Sequence, residues 1–300
     1  MNRQSGFTLI ELSIVLVIIG LIIGGVLVGQ DLVRAAGVRA TISQIEKYQS
    51  AVNTFREKYG ALPGDLNALV AKQFGFTARG VYLGEGDGNG NIEGIWSPSS
   101  NNQNGGLAQF TGETALFWED LSYANGLKIN LIEGSFSNQV IAGFGIASIP
   151  LTAMSNYLPT AKIGRGNYFY VWNLAGVNYY GISVPTGTVW GNIYTNLGLS
   201  VKEAYDIDKK TDDGLPQSGR VTSVYVTNIS NHQDVYFAGT SITHTTLPSY
   251  TTATTGSSST CFDNSTSADG QTAVDGTTQH YSLEINNGTG VNCALSFQFQ

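Results

Sequence analysis

Residues 7–28 form an unbroken apolar run in which Glu11 is the only charged side chain. No other stretch of the chain narrows its options so strongly. A helix needs about 20 such residues to cross the hydrocarbon core of a bilayer, so the run predicts a membrane-spanning helix. The single carboxylate is then the anomaly. An acid at mid-bilayer costs about 2.5–3.5 kcal/mol and usually has a partner or a task.

Two generic readings leave something over. A secretory signal would suit the basic Arg3, but its apolar core is about 7–15 residues long and ends at a small-x-small cleavage site. Here the run is longer, and the nearest candidate, VRA at 33–35, puts Arg34 inside the site. A plain membrane anchor accounts for the length and leaves Glu11 without a purpose. Arg3 on one side and Arg34 and Arg39 on the other give little orientational bias. Snorkelling of Glu11 to the headgroups is the bland alternative, and glutamate is short for it.

The stretch SGFTLIELSIVLVIIGLI (5–22) resembles, in residue types and spacing, the class III signal of type IV pilins and type II secretion pseudopilins. The resemblance implies a polar leader, residues 1–6, removed by a prepilin peptidase after Gly6. Phe7 would become the N-methylated terminus and Glu11 the fifth mature residue. Cleavage exposes an α-ammonium at the membrane face, and Glu11 of a neighbouring subunit would pair with it during assembly. An unpaired carboxylate in a low-dielectric bundle is costly and an ion pair offsets much of that cost, so pairing favours one axial register. One departure is Val28, which stands where many pilins have proline. Gly20, Gly24, Gly25 and Gly29 punctuate the segment instead, suiting either close helix packing in a membrane or local melting.

Beyond the run the pattern turns amphipathic. Val38, Ile42, Ile45, Val52, Phe55 and Tyr59 fall largely at three- and four-residue steps, with charges between them. One helix is therefore expected over 7–59, membrane-spanning over about 7–28 and capped by Gly60. Its second half offers one face to a globular, β-rich head at 60–300. Within the head the sequence predicts a short helix after Pro63 with Asp65 as its N-cap, and a helix over 112–127. Two strands flank an Ala-Gly turn in 167–184, and a helix at 200–210 opens with a Ser200–Glu203 capping box. Further strands are expected at 220–229, 234–238, 280–286 and 293–299. The Ser/Thr/Gly-rich 241–278 reads as a long loop or flap. ALPGD, GDGNGNI and YDIDKKTDDGLPQSG resemble segments of larger prepilin-type proteins. The fold class expected is α+β and pilin-like, a long N-terminal helix packed on an antiparallel sheet with long loops.

Composition restricts function. With 15 Lys and Arg against 22 Asp and Glu, a net charge of −7 and no basic cluster, a nucleic-acid partner is not expected. His232, His244 and His280 are scattered, and no HExxH, GxSxG, CxxC or phosphate-loop pattern occurs, so no enzyme is expected. The two cysteines, Cys261 and Cys293, would be free buried thiols in a cytosolic chain and a disulfide beyond an inner membrane. The pilin resemblance implies the disulfide.

The DGNGNIE stretch presents Asp87, Asn89, Asn91 and Glu93 at alternate positions, an oxygen-rich set suited to calcium. It lacks the EF-hand glycine and terminal glutamate, and a Gly/Asn turn with local side-chain bonds is the structural alternative. Asp206, Asp208, Asp212 and Asp213 form a second acidic group that turn chemistry explains at least as well.

Together these features point to a structural filament subunit, held in the inner membrane with a periplasmic head before it enters a pilus or pseudopilus. Its expected partners are prepilin peptidase, sister subunits through the N-terminal helix, an inner-membrane assembly platform and, before assembly, the bilayer. A minor tip pilin whose head binds a surface or a substrate is the alternative.

Overall fold

Helix α1 (Leu9–Tyr59) runs for 51 residues, about 77 Å at 1.5 Å per residue. The computed structural model describes residues 8–80, 85–94, 112–122, 129–137, 149–189, 192–229, 232–238, 261–263, 279–283 and 288–300. Thr8 and Glu11 cap the start of α1 reciprocally, and Gly60, at φ 79°, ends it with its N–H on the Arg56 carbonyl. The helix has two halves of different character. Every Leu, Ile and Val from Leu9 to Val33 is at least 46% exposed, so these side chains are not buried by the described residues. From Val38 onward one stripe is buried: Val38, Thr41, Ile45, Tyr48, Ala51, Val52 and Phe55. Tyr48 sits at the centre of this stripe, its ring 4.9 Å from that of Trp118 and 5.3 Å from that of Phe169.

Against the stripe lies an antiparallel sheet. Strands β1 (Tyr168–Leu174) and β2 (Val177–Val189) form a hairpin, β3 (Asn192–Asn196) pairs with the far end of β2, and β9 (Leu295–Gln298) lies between β2 and β4 (Val221–Thr222). Ala175 and Gly176 make the β1–β2 turn with φ 51° and 82°, the left-handed pair that a tight two-residue hairpin needs. Tyr170 lies opposite Gly181 in the β1–β2 register, and a Cβ at Gly181 would come within 2.2 Å of the Tyr170 ring. The missing side chain lets the tyrosine lie across the strand. Its hydroxyl accepts from Val226 N at 3.1 Å. Strands β5 (Val224–Ile229) and β6 (His232–Phe237) form a second hairpin, and β7 (Phe262–Asp263) and β8 (His280–Tyr281) a two-residue ladder.

Among the described residues three more helices follow, α2 (Ala68–Phe74), α3 (Gly112–Ser122) and α4 (Val201–Thr211), with a 3-10 turn at Leu151–Asn156. Ser200 and Glu203 cap α4 reciprocally, and Glu203 also takes the Arg165 guanidinium. Cys261 and Cys293 are disulfide-bonded and fully buried. Cys293 also exchanges two backbone hydrogen bonds with Leu199, so the bridge ties β7 to the entry of α4 and to β9. This is the α+β, pilin-like arrangement expected from the sequence.

Several local expectations change. Asp65 does not cap α2; Asn67 does, its side chain accepting from Val70 N at 2.9 Å, because the Asp65 carboxylate is drawn into the interior. The single strand expected at 220–229 is broken at Ser223. That residue donates N–H and Oγ–H to the Pro216 carbonyl, so β4 joins β9 while β5 joins β6. Helix α3 is described only to Ser122, β8 covers His280–Tyr281 of the strand expected at 280–286, and residues 284–286 and most of 241–278 lie outside the described residues.

Candidate functional site

From Leu9 to Val28 helix α1 presents an apolar surface in which Glu11 is the one acid. Glu11 Oε2 accepts from Thr8 N and Thr8 Oγ1, both at 2.8 Å. Among the described residues both contacts of this carboxylate use Oε2. Gly6 and Phe7 lie outside the described residues. The apolar stretch satisfies the length and composition of a membrane span, and none of it is buried against the rest of the chain.

A second concentration of charge sits where the segment after α1 meets α3. Asp65, Asp87 and Glu113 bring carboxylate oxygens within 4.8 Å of one another. Backbone amides orient them. Asp65 accepts from Gly88 N at 2.7 Å and Gly90 N at 2.8 Å. Glu113 accepts from Gly86 N at 2.9 Å and Glu93 N at 3.0 Å. Burial pushes the Asp65 carboxyl up and Glu113 much further, with the Asp65 charge adding to the Glu113 shift.

The sequence-predicted ligands separate here. Asp87 joins Asp65 and Glu113. Glu93, pushed up by burial and then by Asp87, is hydrogen-bonded by Asn89. Asn89 also bonds Asp87 through its own amide, whereas Asn91 turns to Asn173, whose Nδ2 donates to it at 3.3 Å. Asp65 and Glu113 were not foreseen as members. The sequence signal for Glu113 was its place in the first turn of α3, and that for Asp65 pointed to a cap.

Beside this group lies a buried ion pair that the sequence did not reveal. Arg79 Nη1 and Nη2 meet the two oxygens of Asp120 at 2.8 Å each, with neither side chain exposed. Asp120 Oδ2 also accepts from Gly64 N at 2.7 Å, which anchors the chain just beyond α1 to α3.

The other acidic group behaves as turn scaffolding. Asp208 accepts from Tyr281 Oη at 2.8 Å and Gly214 N at 3.1 Å, and burial with nearby Asp213 and Asp212 pushes it up to about 7. Asp212 takes the amides of Arg220 and Val221, and Asp213 those of Leu215 and the Ser218 hydroxyl. Asp206 instead faces Lys202 one helical turn away.

Residues 1–27 match a family model described as the prokaryotic N-terminal methylation motif. No curated protein and no solved structure matches the chain. The N-terminus is thus the signal of a type IV pilin- or pseudopilin-like precursor, and the match ends within α1, well before the head.

Proposed function

We propose that the chain is a structural subunit of a type IV pilus-like or type II secretion pseudopilus filament. The observation that carries this reading is the coincidence of the methylation motif with a helix stretch, Leu9–Val28, that is apolar, exposed among the described residues and marked by one acid. Prepilin peptidase cuts after Gly6, and Phe7 is methylated. Before assembly the exposed half of α1 lies in the inner membrane, with the head on the periplasmic side. Oxidised Cys261 and Cys293 suit that compartment. During assembly the same apolar surface moves from lipid to the α1 helices of sister subunits, guided by the inner-membrane platform. Glu11 supplies the only charge that can meet the Phe7 α-ammonium of a neighbour.

The capping geometry refines this role. Thr8 N and Thr8 Oγ1 hold Glu11 Oε2, which fixes the carboxylate beside the new terminus and leaves Oε1 to the incoming ammonium. Glu11→Ala is expected to be cleaved normally and to be missing from sheared filaments. Glu11→Ala subunits present in filaments at the wild-type proportion overturn the pairing argument.

A further inference from the structure

A cleft between α1 and the head opens where the apolar run ends. It encloses about 570 Å³, with Val26, Val33 and Arg34 of α1 facing Ile163, Arg165 and Glu203 of the head. Gly37 closes its head end, since a Cβ there would come 3.4 Å from Ile163 Cδ1. The apolar run stops at Val28, so Arg34 stands about 9 Å beyond it along the helix axis. The headgroup layer of a bilayer is roughly 5–8 Å deep on each side of the hydrocarbon core. Helical side chains lean toward the N-terminus, and Arg34 does so: its Nη1 lies 3.6 Å from Asp31 Oδ1, one turn nearer the apolar run. The cleft therefore lies at the level of lipid phosphates and combines apolar walls with guanidinium groups.

The two arginines differ. Arg165 is spent within the head: it holds the Glu203 carboxylate through both Nη atoms and donates to the Gly198 carbonyl. These bonds secure it at φ 54°, left-handed backbone that arginine seldom adopts, between Gly164 and Gly166 at 79° and 73°. It forms a fixed wall. Arg34 is the opposite case. Its side chain is only 28% exposed, yet among the described residues it donates no hydrogen bond; Asp31, at 3.6 Å, is too distant for one and is itself 75% exposed. A guanidinium carries five donors in a planar fork, so one this shielded calls for an anionic oxygen acceptor, and phosphate fits the fork.

We propose that this cleft binds an anionic phospholipid, its phosphate on Arg34 and its acyl chains leaving along Val26 and Val33. The inference rests on the membrane-held state proposed above. A lipid is favoured over a free anion because Val26 and Val33, 52% and 74% exposed, carry the bilayer-facing surface into the cleft. One cation without a hydrogen-bonded acceptor suits a headgroup of net negative charge better than a zwitterionic one, which brings its own amine. Bound lipid thereby seats the head on the bilayer before assembly.

The test uses the full chain, delipidated in dodecyl maltoside, with bound lipid counted by native mass spectrometry. Phosphatidylglycerol is expected to appear as a single adduct, and phosphatidylcholine to bind more weakly. Arg34→Gln is expected to need at least about tenfold more phosphatidylglycerol for the same occupancy, the loss of charge-assisted hydrogen bonds to the phosphate. Arg39→Gln, at an exposed arginine of α1 outside the cleft, is expected to bind like wild type. Both variants should keep the wild-type melting temperature without lipid and float with vesicles as wild type does. A wild-type chain that fails to float refutes the membrane-held state itself, which separates that failure from failure of the lipid site. No phosphatidylglycerol adduct on a chain that floats overturns the proposal. So does equal weakening by Arg34→Gln and Arg39→Gln, which is diffuse attraction, or full displacement by inorganic phosphate at the same concentration, which makes the ligand a soluble anion. A lipid-free dimer that Arg34→Gln dissociates also overturns it, by putting a sister chain in the cleft.

Discussion

Replacing Arg79 by methionine deletes the one buried cation among the described residues, beside the buried carboxylates of Asp120, Glu119 and Glu85, while keeping most of the side-chain volume. Asp120 is then left fully buried and charged, facing a thioether. Breaking such a pair from one side costs about 3–5 kcal/mol, because the remaining charge is uncompensated. For a head of this size about 1 kcal/mol corresponds to roughly 2–4 °C, so the melting temperature should fall by roughly 6–20 °C. Near-ultraviolet circular dichroism is the suitable probe, since Trp118 lies two residues from Asp120 and packs 4.9 Å from Tyr48 of α1. The control is the double variant Arg79→Met/Asp120→Asn. Asparagine removes the charge yet keeps an acceptor for Gly64 N, which now bonds Asp120 Oδ2 at 2.7 Å. The double variant should recover at least half of the loss. If it is as unstable as the single variant, the cost lies in lost packing and the charge argument is wrong.

Other parts of the fold give further expectations. Asp208 holds its proton to about pH 7 when folded against the ordinary value of 3.8, so the folded state binds more protons between those limits and stability falls as pH rises through them. Asp208→Asn should flatten that fall when both proteins are melted in EGTA from pH 4 to 7; parallel curves contradict the assignment. Reducing the buried Cys261–Cys293 bridge, which closes a sequence separation of 32, should destabilise the head by about 3–4 kcal/mol, read as a lower melting temperature in reductant. An unchanged melting temperature would show the bridge to be dispensable. Gly181→Ala should cost about 1–3 kcal/mol by driving a methyl into the Tyr170 ring, and pairing it with Tyr170→Leu should relieve most of that loss.

What could be read in the sequence was local. The Gly60 cap, the Ser200–Glu203 box and the Ala175-Gly176 turn each depend on neighbours within a few residues, and each forms as expected. The apolar run and Glu11 were legible for the same reason, since membrane length and a lone charge need no tertiary context. The acidic pocket was only half legible. Asp87 announced itself by spacing, but Asp65 and Glu113 reach it only because α3 packs over the post-α1 segment, and Glu93, read from the same spacing, stays outside that group. Arg79 and Asp120, 41 residues apart, carried no shared signal at all. Ser223 shows the converse: a β-rich string whose local preference was right and whose continuity was cut by a hydrogen bond to Pro216. Long-range partners decide such places, and no periodicity encodes them.

The most direct measurement is the mass of the N-terminal peptide of this protein in both the membrane fraction and the sheared surface or pseudopilus fraction. A methylated peptide beginning at Phe7, present in the filament fraction, is the expected result. Its abundance there separates a major subunit from a trace species at a tip. An intact Met1 terminus in every fraction would show that the signal in residues 1–27 is not used, and the filament reading would fall with it.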